Sequence, residues 1–415
     1  MAGQDRDPGR RHRLPRAFWI LFSAVLVNRM GTFVLPYLAL YLTTARGFGT
    51  SGAAAVVAGW GAGAMVASLV GGRLADGWGR RPTMVLSFAG SAGCAAVLAF
   101  ARDPAAVVAG TVGIGLSGEM FRPAVLAMVA DLVGDDDRTR AYGLLYWATN
   151  VGFAAAMAAG GLVAEHGGFT TAFVVDAVTS LAAAALIAAG LKETRARARP
   201  GQPRAASVPW IPRDPVLFAF VALGFVFFWI YNQQALALPL GLHQRGLSFG
   251  RYGLVMAVSG ATVVIFQTPV TRLAQRFSHR VALAWGVLLL GGGFGLFSFV
   301  HGTLTAVGTV LVWTLGEILY GVAAPAALAK MAPPDMRGRY QGLFSGASYA
   351  AWIVAPLLGG AFISLGGQNL VWLVCALAGG VAAGGHLLVP SAAGRRAAPA
   401  RQEDAQGAVG PGVTS

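Results

Sequence analysis

Apolar runs of about 20 residues or more recur along the whole chain, divided by short stretches that carry arginine, glycine and proline. A helix needs roughly that length to cross a bilayer core. On this measure the first half holds spans at 17–42, 50–72, 83–101, 105–133, 141–164 and 170–191. The second half holds spans at 215–241, 249–271, 281–300, 303–330, 340–365 and 368–390. The runs are uniformly apolar and lack the alternation of a membrane β-strand, so the spanning elements are helices. The pattern predicts an all-α polytopic membrane protein with about twelve transmembrane helices.

The halves also repeat in detail. Arg73-Leu74-Ala75 returns 199 residues on as Arg272-Leu273-Ala274. Arg138 and Arg140 return as Arg337 and Arg339, Gly143-Leu144 as Gly342-Leu343, and Gly160-Gly161 as Gly359-Gly360. Two copies of one membrane unit are the sequence mark of a secondary transporter whose small-molecule substrate binds between them. The expected architecture is two pseudo-symmetric six-helix bundles, 17–191 and 214–390. The linker at 192–213, rich in Arg and Pro, reads as a solvated tether. An N-terminal tail, 1–16, and an Ala/Gly/Pro-rich tail, 391–415, complete the chain, the second expected to be disordered.

Composition agrees with a membrane protein. The 415 residues are 56% hydrophobic and 12% charged, against about 25% charged in a soluble domain. The net charge of +14 does not form the single patch that nucleic acid would require. It sits in alternate loops: Arg6 to Arg16, then Arg73, Arg80 and Arg81, then Arg138 and Arg140, then Lys192 to Arg213. The second half continues with Arg272, Arg276 and Arg280, then Lys330, Arg337 and Arg339. The other loops hold only Arg46, Arg102, Arg245 and Arg251. This asymmetry predicts a multi-pass protein of the cell membrane with both termini and the linker cytoplasmic. The basic N-terminal tail leads into a segment too long for a signal peptide, so none is expected. Cys94 and Cys375 lie within apolar runs and read as small hydrophobes. No nucleophile cluster, metal-ligand spacing or P-loop points to an enzyme, a cofactor, a metal or an ATP-driven pump. A monomer is expected.

The loop after the second span reads Gly72-Arg73-Leu74-Ala75-Asp76-Gly77-Trp78-Gly79-Arg80-Arg81. Positive-inside topology requires basic residues but no aspartate. The run resembles the signature loop of the major facilitator superfamily, G-x-L-a-D-r-x-G-r-[kr], at Gly72, Leu74, Ala75, Asp76, Gly79, Arg80 and Arg81, and departs from it at Gly77. A degenerate copy follows one repeat later, with Arg272 and Arg280 kept and Gln275 in place of the acid. The resemblance implies a cytoplasmic gate that locks when the transporter faces outward. Asp76 would then lie near the start of the eleventh span, after Arg339, and Arg80 would pair with Asp131.

Ionisable residues at membrane depth are functional candidates by default. Glu317 in the tenth span shares a helix face with Trp313 and Tyr320. An acid so placed can hold a proton or face a lipophilic cation. Arg29 in the first span, beside Asn28 and on a face with Phe33 and Tyr37, reads as a cavity counter-charge or a structural partner. Glu119 and Arg122, three apart in the fourth span, are either a self-neutralised pair or part of a relay. Asp176 in the sixth span reads as structural or as lying near the outer interface. Trp229, Asn232 and Gln233, beside Tyr231 and Gln234 in the seventh span, suit a cavity for mixed polar and apolar ligands or hydrogen-bond between helices.

The fifth span resembles the antiporter motif of drug exporters at Asn150, Gly152, Gly160 and Gly161, but Met157 stands where its proline is expected. The proline occurs one repeat later, as Pro356. Asn28 to Phe33 followed by Pro36-Tyr37-Leu38, Phe121 to Ala124, Gly316-Glu317, and Arg337 to Tyr340 resemble the MdtH-like multidrug-resistance branch. That resemblance implies proton-driven efflux of lipophilic, often cationic, compounds, with Glu317 at the proton site. An importer, a narrow-specificity metabolite exporter and a transport-dead sensor are the alternatives.

Overall fold

The structure is a computed structural model that describes residues 14–194, 214–333 and 336–389. The predicted N-terminal tail up to 13, the linker from 195 to 213 and the C-terminal tail lie outside the described residues. In chain order the helices before the linker are α1 (Arg16–Met30), α2 (Val34–Leu40), α3 (Thr50–Gly77), α4 (Arg80–Phe100), α5 (Pro104–Gly118), α6 (Phe121–Leu132) and α7 (Asp135–Gly190). After the linker come α8 (Pro215–Tyr231), α9 (Ala237–Gln244), α10 (Phe249–Ala274), α11 (His279–Leu296), α12 (Thr303–Met331) and α13 (Arg337–Leu388).

Ten helical segments among the described residues are long and apolar enough to cross a membrane. Two of them, α7 with 56 residues and α13 with 52, would each reach roughly 80 Å if straight. The bilayer core is only about 30 Å. Each segment therefore turns back, at Gly168 (φ 73°) in α7 and at Gly367 (φ 71°) in α13. Side-chain-bearing residues resist that backbone region. Each long segment thus counts as two crossings, six before the linker and six after it, as the hydrophobic pattern predicted.

Three crossings are broken, each four residues before a proline. Pro36 follows the break between α1 and α2, Pro123 the break between α5 and α6, and Pro239 the 3₁₀ turn Asn232–Ala235 between α8 and α9. A proline cannot donate to the carbonyl four residues back, and its ring crowds that carbonyl. Helix starts are set more conventionally. Asp103 and Asp214 accept backbone N–H groups ahead of Pro104 and Pro215, and Ser248 and Ser278 cap α10 and α11.

The bundles meet along two seams that obey the sequence repeat. The first arm of α7 lies against α10, and the first arm of α13 against α3. A Cβ at Gly161 would fall 2.4 Å from the Phe249 carbonyl oxygen across one seam. At Gly360, 199 residues on, it would fall 2.7 Å from Ala54 Cβ and 3.7 Å from the Thr50 carbonyl oxygen across the other. Thr50 and Phe249 are themselves repeat partners. Farther along, Gly61 backs onto Trp352 and Gly260 onto Asn150 and Ala154. Towards the end of the molecule that carries Arg80, Arg138 and Arg337, here the basic end, the seams part. A Cβ at Gly72, Gly143, Gly338 or Gly342 would meet nothing within 4 Å.

Candidate transport cavity and gate

Between the bundles lies a cavity of about 220 Å³ lined from both halves. The N-terminal half contributes Arg29, Arg122, Asn150, Phe153 and Met157, and the C-terminal half Tyr231, Gln234, Met256, Glu317 and Trp352. Clefts run from this region towards the basic end between α7 and α10, past Tyr146 and Gln267, and between the fourth crossing and α13, past Gln341 and Ser345. The charged groups sit beside the proline breaks: Arg29 closes α1, and Glu119 and Arg122 flank the α5–α6 break. Arg122 Nε lies 2.5 Å from Glu119 Oε2. Glu317 accepts a hydrogen bond of 3.1 Å from the Tyr231 hydroxyl. Arg29 stacks its guanidinium over Phe121, 5.2 Å from the ring centroid.

Several residues expected at the cavity are core instead. Trp313 and Tyr320 are buried beside Glu317. They lie on the side of α12 that packs on Gly293 and Gly286 of α11, while Glu317, about 40° to 60° around the helix, reaches the cavity. Tyr37 is buried, with its hydroxyl donating to the Met157 carbonyl at 2.8 Å. Phe33 is buried against Gly160. Asn28 donates to Ser180 and faces a smaller side pocket. In α8 and its 3₁₀ turn, Trp229, Asn232 and Gln233 point into the bundle and leave Tyr231 and Gln234 on the cavity wall. Gln233 donates to the Ala355 carbonyl, next to Pro356. In the fifth-span motif, Asn150 bonds the Tyr146 carbonyl, Gly152 abuts Arg29, and Gly160 and Gly161 serve the packing described above. Asp176 is structural. One of its oxygens accepts from the Phe33 and Val34 amides at 3.0 and 3.1 Å, and the other from Ser180. It thereby caps the helix that restarts after the first-span break.

The signature loop is built into the N-terminal bundle. Gly79 (φ 128°) turns the chain from α3 into α4. The freed amides of Arg80 and Arg81 donate to Glu193, at 3.0 and 2.9 Å. Arg80 Nε lies 3.0 Å from Asp131 Oδ2, which also accepts from Thr194 at 2.8 Å. Arg81 donates to the Ala188 carbonyl. The composition of the linker predicts a solvated tether at Glu193 and Thr194, but the described start of the linker is docked on this loop. Asp76 is exposed and makes no ion pair among the described residues, and the structure does not bring it to Arg339. Gly72 is likewise open, because the seams have parted at this end.

The other end is shut. Glu165, exposed at the end of the fifth crossing three residues before the turn at Gly168, accepts from Gly250 N at 2.7 Å and Ser248 Oγ at 2.9 Å. It thus caps α10 from the opposite bundle, and these bonds hold its carboxyl below the usual carboxylate range. Tyr252 donates across the seam to the Pro36 carbonyl at 3.2 Å.

Two helical bundles related by an internal repeat, with a largely apolar cavity between them that carries a few charged groups and opens at one end only, define a secondary transporter. The chain belongs to the Major Facilitator Superfamily, whose profile matches residues 21–243 and 225–411. It is 27% identical over 359 residues to the uncharacterised MFS-type transporter YqjV of Bacillus subtilis, covering 85% of this chain and 87% of that one. It is 26% identical over 389 residues to the multidrug resistance protein MdtH of Aeromonas salmonicida, covering 89% and 94%. The crystal structure of the POT family transporter PepTSo superposes with a TM-score of 0.76 at 14% identity, covering 95% of this chain and 99% of that one. That last likeness is one of fold.

Proposed function

We propose that this transporter is a proton-coupled exporter of drugs or small metabolites in the cell membrane, allied to the MdtH-like branch, with the basic end and both termini in the cytoplasm. The observation that carries this reading is Glu317, a membrane-depth carboxylate on the cavity wall with the neutral Tyr231 hydroxyl as its hydrogen-bond partner. In the cycle, substrate enters from the cytoplasm and the halves rock to face outward. A proton entering from outside then neutralises Glu317 and releases the substrate. Proton loss to the cytoplasm resets the site. Glu119, Arg122 and Arg29 set the field in which that proton moves. Gly72, Asp76, Gly79, Arg80, Arg81, Asp131 and Arg339 form the cytoplasmic gate, and Asp76 meets the start of α13 only when that end closes. In proteoliposomes with an imposed pH gradient, Glu317→Gln is expected to abolish gradient-driven efflux while exchange of substrate down its own gradient persists. Undiminished proton-driven efflux by the variant would remove Glu317 from the mechanism, and gradient-driven uptake by the wild type would favour an importer.

A further inference from the structure

The charges on the cavity wall do not balance within either half. In the N-terminal half Arg122 is neutralised by Glu119. Arg29 has no such partner among the described residues: its Nε is buried without a hydrogen bond, and its guanidinium rests on the Phe121 ring. The one other carboxylate near it, Asp176, is already engaged by the Phe33 and Val34 amides and by Ser180. In the C-terminal half Glu317 carries the matching surplus, with a neutral phenol beside it. The cavity therefore presents one unpaired cation and one unpaired anion on opposite bundles. Apolar surface lines both sides of the cavity, from Phe153 and Met157 on one bundle and Met256 and Trp352 on the other.

We infer that the substrates of this cavity carry an acidic group that pairs with Arg29, so that the preferred class is amphipathic zwitterions rather than simple lipophilic cations. The inference rests on the reading of this cavity as the transport site. A partly buried charge gains most from a charge-assisted hydrogen bond, and an unpaired one penalises a ligand of like sign. A purely cationic ligand satisfies Glu317 but leaves Arg29 facing another positive charge. A zwitterion satisfies both walls and ties the bundles together through its own length.

The test is a matched pair of fluorescent probes. Rhodamine 110 has a free carboxylate beside its cationic ring system, and rhodamine 123 is its methyl ester. Binding to the purified full chain in lipid nanodiscs is read by fluorescence anisotropy, without any ion gradient. The wild type is expected to bind the acid at least about tenfold more tightly than the ester. Arg29→Gln should reduce that ratio to within about twofold, and Arg29→Lys should keep part of it. Equal or tighter binding of the ester by the wild type would overturn the inference, as would a preference that survives in Arg29→Gln or failure of the wild type to bind the acid. The wild-type comparison needs no variant to fold. Because the assay involves no flux, its outcome is separate from that of the Glu317→Gln transport assay.

Discussion

Gly253→Ala should push this transporter out of the conformation described here. A Cβ on Gly253 would lie 2.2 Å from the Met157 carbonyl oxygen, 2.4 Å from the Tyr37 hydroxyl and 3.2 Å from Gly161 Cα. Ordinary contact with the carbonyl oxygen would require the α7–α10 seam to widen by about 1 Å, and two of the three atoms in the way, the Met157 carbonyl oxygen and Gly161 Cα, are backbone. Overpacking of this kind costs about 1–3 kcal/mol. The cost falls only on the state in which these ends are shut, because the methyl is free once they part. The equilibrium should therefore move towards the oppositely open state by roughly 5- to 150-fold. Spin labels at His166 and Gln244, exposed at the closed end of different bundles, in a background with Cys94 and Cys375 replaced, would report the change as a longer distance population. Gly286→Ala is the control. Its Cβ would press on Tyr320 within one bundle, 2.9 Å away, so it should lower Tm without moving the distances. Identical distance distributions for wild type and Gly253→Ala would refute the view that this seam opens during the cycle.

Two further outcomes follow from buried and interfacial carboxylates. Asp176→Ala should lower stability by about 2–4 kcal/mol, read as a fall in Tm in detergent, because it orphans two buried amides. Asp176→Asn should recover most of that loss, since both amides converge on one oxygen; failure of the rescue would mean that the charge itself matters. Glu165→Ala should lengthen the His166–Gln244 distances. With the wild-type carboxyl held low, its contribution is complete above the ordinary carboxylate range and is lost only as pH falls through the lowered value. The closed population should therefore stay constant from about pH 8 down to about pH 5, and a Glu165-dependent opening within that window would contradict the arrangement.

Much of this architecture was legible from the chain. Run length gave the crossings, and the two turn-backs fall in the short gaps after 164 and 365 that the pattern left. The 199-residue period carries through to which glycine touches which helix. Local spacing anticipated that Glu119 meets Arg122, and the family resemblance that Arg80 meets Asp131. The cavity wall was harder to read. Helical spacing says which residues share a side but not which neighbour that side faces, so it groups Trp313 and Tyr320 with Glu317 although α11 claims them. At Trp229 to Gln233 the expected helical register fails because a 3₁₀ turn intervenes. Pro239, four residues beyond that turn, was the available signal, as Pro36 and Pro123 were for the other breaks. Glu193, Thr194 and Glu165 act through partners some 60 to 113 residues away, and no local pattern marks them.

The mid-seam glycines also set a leverage. Gly61 lies 11 residues from the Thr50 end of α3 and 16 from the Gly77 end, arms of about 17 and 24 Å at the helical rise. In α10, Gly260 divides the helix 11 to 14, or about 17 and 21 Å. A bundle tilting on these points swings its basic end through an arc roughly a quarter to two-fifths wider than its other end. The mouth at the arginine-rich face is then the broader of the two, and the narrower far side becomes the sieve that limits how bulky a solute can complete the passage.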